Sequence, residues 1–147
     1  VDPSLSEVFE QCQLDHGERR TNAHVLHLHR DLIALSRGDR VFALQDGACV
    51  EGAVLGVEAL ALRFMGDDGD ARLMVVNFGS DLHLRVIPEP LLAAPDGKPW
   101  RLLFSTEDVG YGGRGALHPE LKDGWMIPAR SATVLASART TGSDSNV

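Results

Sequence analysis

The chain has 147 residues, 44% hydrophobic and 24% charged, which suits one domain with a sizeable core and argues against a disordered chain. Only 5% is aromatic, so the core must be built from Leu, Val and Ala. A net charge of −7 repels phosphate backbones, no Lys/Arg-rich stretch offers itself to a membrane surface, and no apolar run approaches the ~20 residues of a spanning helix, so neither nucleic acid nor a membrane is expected as a partner.

The N-terminus, Val1-Asp2-Pro3-Ser4, is polar and lacks the basic-then-apolar pattern of a signal peptide. It opens on Val rather than Met, as a processed chain or a piece of a longer one would. Ser4 or Ser6 could cap a short helix over Glu7 to Cys12, broken by Asp15-His16-Gly17. Cys12 and Cys49 are far apart and in no ligand motif, the pattern of two reduced thiols in a cytoplasmic protein. Residues 18–37 read as one long helix with Thr21 or Asn22 as N-cap. Val25, Leu28, Leu32 and Leu35 recur at spacings of three and four, Leu26 and Ile33 widen the stripe, and Gly38 is placed as the C′ glycine. That stripe is wide for a helix on a small sheet and suits a cover larger than this chain supplies.

From Val41 the apolar period changes from 3.6 to 2. Strands are expected over Val41 to Leu44, Cys49 to Gly56, Ala59 to Phe64, Ala71 to Phe78, Leu82 to Ile87, Trp100 to Ser105, Gly124 to Ile127 and Ser131 to Ala136. The chain is organised around Glu58 to Val86, read as a meander of two or three adjacent antiparallel strands, with Leu73-Met74-Val75-Val76, apolar on both faces, deepest. Prolines 88, 90, 95 and 99 make 88–99 a loop and edge region, and 106–123 is a second loop. The expected fold is mainly β, an antiparallel sandwich preceded by one or two helices. The division is 1–38 helical, 39–137 β domain and 138–147 a disordered tail.

Few residues invite chemistry. His24 and His27 share a helix face with Asp31 four beyond, but spacing fixes no third ligand and His29 points elsewhere, so they read as a polar helix face and no metal is expected. Glu107 and Asp108 are sequence neighbours, which rarely converge on one bond as an acid/base pair must. Gly110-Tyr111-Gly112-Gly113-Arg114-Gly115 lacks the Lys-Ser/Thr and the strand-then-helix setting of a phosphate cradle. Its glycines are expected to permit a tight path with positive φ while Tyr111 packs inward, leaving a sugar contact through Tyr111 or Arg114 open. Trp100 and Trp125 begin strands beside apolar residues and read as core or inter-domain packing, with stacking on a sugar as the binding alternative. No catalytic residue and no cofactor are expected.

Three stretches together resemble the C-terminal end of glycoside hydrolase family 13, the α-amylase family, in its trehalose and glycogen branch. Leu28-His29-Arg30-Asp31-Leu32-Ile33-Ala34-Leu35 with Asp39-Arg40-Val41-Phe42 resembles the last barrel helix. Leu73 to Phe78, Ser105-Thr106-Glu107-Asp108 with Tyr111 to Gly115, and Ile127 to Leu135 resemble its C-terminal β domain. The loop Ser105 to Gly115 is shared with branching enzymes. The helix, Phe9 to Asp15, Pro88 to Leu92 and Ala129-Arg130-Ser131 are closer to the malto-oligosyltrehalose trehalohydrolases. The resemblance implies a parent hydrolase that cuts the α-1,4 bond next to the trehalose end of malto-oligosyltrehalose. A family barrel needs ~250 residues, so no catalytic position has a counterpart here. It implies an accessory domain that packs against the catalytic barrel. The alternatives are a module that holds α-glucan or malto-oligosaccharide, and the same domain from a branching enzyme or amylase.

Overall fold

The structure, a computed structural model, describes Val8, Glu10, Cys12 and residues 15–85, 89–97 and 99–137. The Glu7 to Cys12 helix with its caps, the Val86-Ile87 end of one strand and the 138–147 tail therefore fall wholly or partly outside the described residues.

The helical part differs from the single helix expected. It is α1 (Glu18–Thr21) and α2 (Ala23–Gly38), separated at Asn22, where the backbone leaves the helical region (φ −107°, ψ 35°) and the side chain caps nothing. Gly38 is the last helical residue rather than a left-handed one beyond the end, and the chain leaves α2 through extended Asp39 (φ −79°, ψ 124°). The strand expected over Val41 to Leu44 is instead a helical turn, α3 (Arg40–Ala43). Asp39 is the reason: its Oδ1 accepts from the backbone N–H of Val41 (3.0 Å) and of Phe42 (3.3 Å), which caps a new helix start.

Among the described residues eight strands follow: β1 (Val50–Gly56), β2 (Ala59–Met65), β3 (Ala71–Asn77), β4 (Leu82–Leu84), β5 (Trp100–Ser105), β6 (Glu120–Leu121), β7 (Gly124–Ile127) and β8 (Ser131–Ser137). They form a mainly β, antiparallel sandwich: a five-stranded sheet in the order β1-β2-β3-β8-β5 and a three-stranded one in the order β4-β7-β6. β3 lies at the centre of the larger sheet, with Leu73 and Val75 fully buried, as its two-faced apolarity implied. Of the two or three adjacent strands expected over Glu58 to Val86, two pair, β2 and β3, and β1 extends the meander on the other side of β2. β4 does not join β3 but crosses to the second sheet and pairs with β7, Leu82 opposite Ile127. Inside the 106–123 loop, Glu120-Leu121 adds the short strand β6.

Asn77 makes that crossover possible. It is 3% exposed. Its Nδ2 donates to the carbonyls of Ser80 (2.7 Å), Pro128 (3.1 Å) and Ile127 (3.3 Å), and its Oδ1 accepts from the Gly79 N–H (3.0 Å). One side chain thus folds the chain back after β3 and fixes it to the β7–β8 turn.

Between the sheets, Ala61, Leu73, Val75 and Leu135 meet Trp125, Ile127, Leu91, Leu92 and Trp100. Each fully buried large apolar side chain there contributes about 1.5–3 kcal/mol. The opposite face of the larger sheet is also apolar. Leu60, opposite Val76, and Leu62, opposite Met74, put four aliphatic side chains there, all half-buried. An antiparallel sheet ordinarily alternates apolar-in with polar-out, so this second face is unusual.

Candidate functional site at the joint between helix and sheet

Two polar clusters attach the helical segment to the sandwich. At the first, Asp39 serves twice: Oδ1 caps α3, and Oδ2 accepts from Arg72 Nε of β3 (2.9 Å), with both side chains close to fully buried. Buried Asp70 accepts from Arg40 Nε (2.8 Å) and forms an ion pair with the Arg40 Nη2. The Arg72 guanidinium lies 3.8 Å from the same Asp70 oxygen and donates to the Ala71 carbonyl (2.9 Å). Alternating charges in this partly dry place satisfy one another, which is the condition under which buried ions are tolerated. Beside them the Phe42 ring meets Phe64 edge-on, centroids 5.0 Å apart.

The second cluster is the glycine-rich loop. Asp108 Oδ1 accepts from the Gly110 N–H (2.8 Å) and starts a tight turn over Val109–Tyr111 that packs against α2. Gly112 (φ +83°) and Gly115 (φ +121°) take the left-handed path expected of them. At Gly113 a Cβ would lie 2.2 Å from the Glu107 carbonyl carbon, so the loop closes on itself only with glycine there. Tyr111 tilts over Phe104, centroids 5.5 Å apart, and its hydroxyl donates to Asp31 Oδ2 of α2 (2.6 Å). Arg114 is 73% exposed and reaches Glu107 through Nε (3.2 Å).

The hydrogen bond to Asp31, with some burial and the Asp31 charge, holds the Tyr111 phenol neutral and pushes its pKa up to about 12. An unfolded tyrosine ionises near pH 10. Above that pH the unfolded chain gives up a proton that the folded chain keeps. The stabilisation is complete below about pH 10 and is lost as pH rises from about 10 to about 12. Tyr111→Phe is expected to cost about 1 kcal/mol at neutral pH and to flatten this alkaline decline, read by urea unfolding at neutral and alkaline pH.

The remaining sequence candidates do not converge. Trp100 and Trp125 are 4% and 3% exposed, and the Trp100 indole N–H donates to the Leu92 carbonyl (2.9 Å). Both are core residues, as their strand neighbours indicated, and neither presents an open ring face for a sugar to stack on. The His29 ring N–H donates to the Val25 carbonyl (2.8 Å), and His24 lies over Gly112. Among the described residues no three His, Cys, Asp or Glu side chains are grouped to hold a metal ion. Glu107 is occupied by Arg114 and Asp108 by its own turn, so the adjacent carboxylates face different partners. Cys12 and Cys49 are free thiols. The Cys49 thiol is held up in pKa by its hydrogen bond to Asp46 and by that carboxylate's charge. No helix among the described residues is long and apolar enough to cross a membrane. Sequence reasoning missed Asn77 and the double role of Asp39. The available signals were an Asn at a strand end before Gly79-Ser80-Asp81, and an Asp directly after a helix.

A family profile described as "Domain of unknown function (DUF3459)" matches residues 49–134. The curated proteins contain no match to the chain. Among solved structures, the chain is similar to one titled "Catalytic Module of the Multi-modular glycogen-degrading pneumococcal virulence factor SpuA in complex with an inhibitor", with a TM-score of 0.51 and 17% identity. The similarity is one of fold. It covers 74% of this chain and 17% of that one, so the chain spans only a small part of the protein it matches.

Proposed function

The chain belongs to the DUF3459 domain family, and from that premise we propose that it is the non-catalytic C-terminal domain of an α-amylase-family glycoside hydrolase. Residues 1–38 complete the end of the catalytic barrel and 39–137 form the β domain that packs against and stabilises it. The fold likeness to part of a glycogen-degrading catalytic module supports this reading.

One observation carries it: apolar surface that the described chain leaves partly uncovered. No residue of α2 is buried, and its stripe leaves Val25 40%, Leu32 39% and Ile33 51% exposed. Leu60, Leu62, Met74 and Val76 add a half-open sheet face. Exposed apolar surface of this kind, beyond scattered single residues, marks an interaction site. The occupant proposed is the parent barrel, of ~250 residues, which this chain cannot contain. Bond cleavage belongs to that barrel.

The finer reading is a cytoplasmic parent that releases trehalose from malto-oligosyltrehalose. The likeness of the α2 segment and of Ala129-Arg130-Ser131 to the trehalohydrolases supports it. The test is to assay this chain, the barrel and both together on malto-oligosyltrehalose. The expected result is no trehalose from the chain alone and release when the barrel is present. Trehalose from the chain alone overturns the proposal. Ile33→Glu is expected to leave the chain's own stability within about 0.5 kcal/mol, since the site is exposed, while abolishing its association with the barrel.

A further inference from the structure

We propose that the cleft between the end of β4 and the β6–β7 turn binds a phosphate monoester, with Arg85 and Lys122 as its cationic clamp. The inference stands apart from the barrel reading and rests on the smaller sheet alone. Strand pairing brings these groups together. Leu84 lies opposite Trp125 and Leu121 opposite Gly124, so Arg85, one residue beyond β4, comes to the same end of the sheet as the two-residue turn Lys122-Asp123. Gly124 sets how closely they meet. Its φ is +139°, and a Cβ there would lie 2.1 Å from the Leu84 carbonyl oxygen and 3.0 Å from Arg85 Cα, so glycine is what lets the turn seat against β4. Gly124 also carries the positive φ of this hairpin, and neither turn residue has one, so the backbone makes no demand for a lysine at 122. The cleft has a volume of about 350 Å³, within the ~300–1,000 Å³ typical of small-ligand sites.

The chemistry of the lining selects the ligand. Of the described residues around the cleft, Arg85 and Lys122 carry fixed positive charge and Asp123 negative, with His83 adding ring nitrogens. The local excess is cationic in a chain of net charge −7. Among the described residues neither Arg85 nor Lys122 forms an ion pair, whereas Arg40, Arg63, Arg72 and Arg114 each do, so both are available to an anion from outside. A guanidinium meets two phosphate oxygens with parallel N–H donors, and an ammonium meets a third as a point charge. Charge-assisted bonds of this kind are about twice as strong as neutral ones, so a neutral ligand gains far less here. Leu84 and Leu121, the latter 55% exposed, add apolar wall, which favours an ester with a carbon body over the free ion.

The experiment is calorimetric titration of the 147-residue chain at low ionic strength with glucose 1-phosphate, inorganic phosphate and glucose. Glucose 1-phosphate is expected to bind, inorganic phosphate to bind more weakly, and glucose to give no heat. Arg85→Gln and Lys122→Gln should each lower the affinity for glucose 1-phosphate by about 10-fold, the scale of one charge-assisted bond. Added salt should weaken binding in the same direction. Both side chains are exposed, so the melting temperature of either variant should match that of the parent chain. Asp123→Ser removes the one opposing charge and should raise the affinity, a gain that damage to the fold would not produce. Absence of binding by both phosphate compounds overturns the proposal, as does equal affinity for glucose and glucose 1-phosphate. Unchanged affinity in both glutamine variants overturns the clamp. Inorganic phosphate binding as tightly as glucose 1-phosphate refutes the monoester.

Discussion

Asn77→Ala is expected to cost about 3 kcal/mol and to lower the melting temperature by roughly 10 °C, one of the two largest single-residue effects predicted for this chain. The side chain is buried and makes four hydrogen bonds, three to carbonyls on two different segments and one from the Gly79 N–H. Truncation leaves those groups without a partner in a place closed to water, and each such loss is worth about 1 kcal/mol or more. The damage should extend to the Gly79–Arg130 contact, because Asn77 positions both segments that make it. Asn77→Asp should be worse than Ala, since it turns a carboxylate toward three carbonyl oxygens. Thermal unfolding of the three chains checks this; an alanine variant within about 0.5 kcal/mol of the parent would show that the two sheets are held without it.

Asp39→Ala is expected to destabilise by about 3 kcal/mol. Two terms combine: loss of the α3 cap, about 1 kcal/mol, and removal of the main anionic partner of a buried guanidinium, Arg72. Asp70 remains 3.8 Å from Arg72 but is also engaged by Arg40, so it compensates only in part. Asp39→Asn separates the terms, because the amide oxygen keeps the cap while the charge is lost. It should recover about 1 kcal/mol of the deficit in denaturant unfolding. If Asn and Ala are equivalent, the cap contributes nothing.

These two residues also mark where the sequence stops being legible. Strands β1, β2, β3, β5, β7 and β8 could be read to within about a residue because alternation is a local property, and Gly-Asp turns punctuate it. Arg40 to Ala43 could not. The four apolar residues Val41 to Leu44 fit a strand as well as a helical turn, and the decision lies with a carboxylate outside them. Leu82 to Leu84 was recognisable as a strand, but alternation says nothing about which neighbour it will pair with; the Asn77 bonds to the β7–β8 turn decide that. The apolar stripe of α2 and its need for a larger cover were visible from spacing alone; which of its residues stay most open, Val25, Leu32 and Ile33, comes only from the fold. Tyr111 was expected to turn inward. Its bond to Asp31, eighty positions earlier, comes from tertiary packing and leaves no local mark.

The order β1-β2-β3-β8-β5 has a consequence for how the molecule is made. The strand that joins β3 to β5 in the larger sheet, β8, is the last of the eight described strands to be synthesised, and it pairs with β3 on one side and β5 on the other. As the polypeptide leaves the ribosome, β3 and β5 must wait with open edges until the stretch from Ser131 to Ser137 arrives to close the gap between them. A stop codon before Ser131 would therefore leave β1-β2-β3 and the lone β5 unjoined, with raw strand edges, and such a product should be insoluble rather than merely shorter.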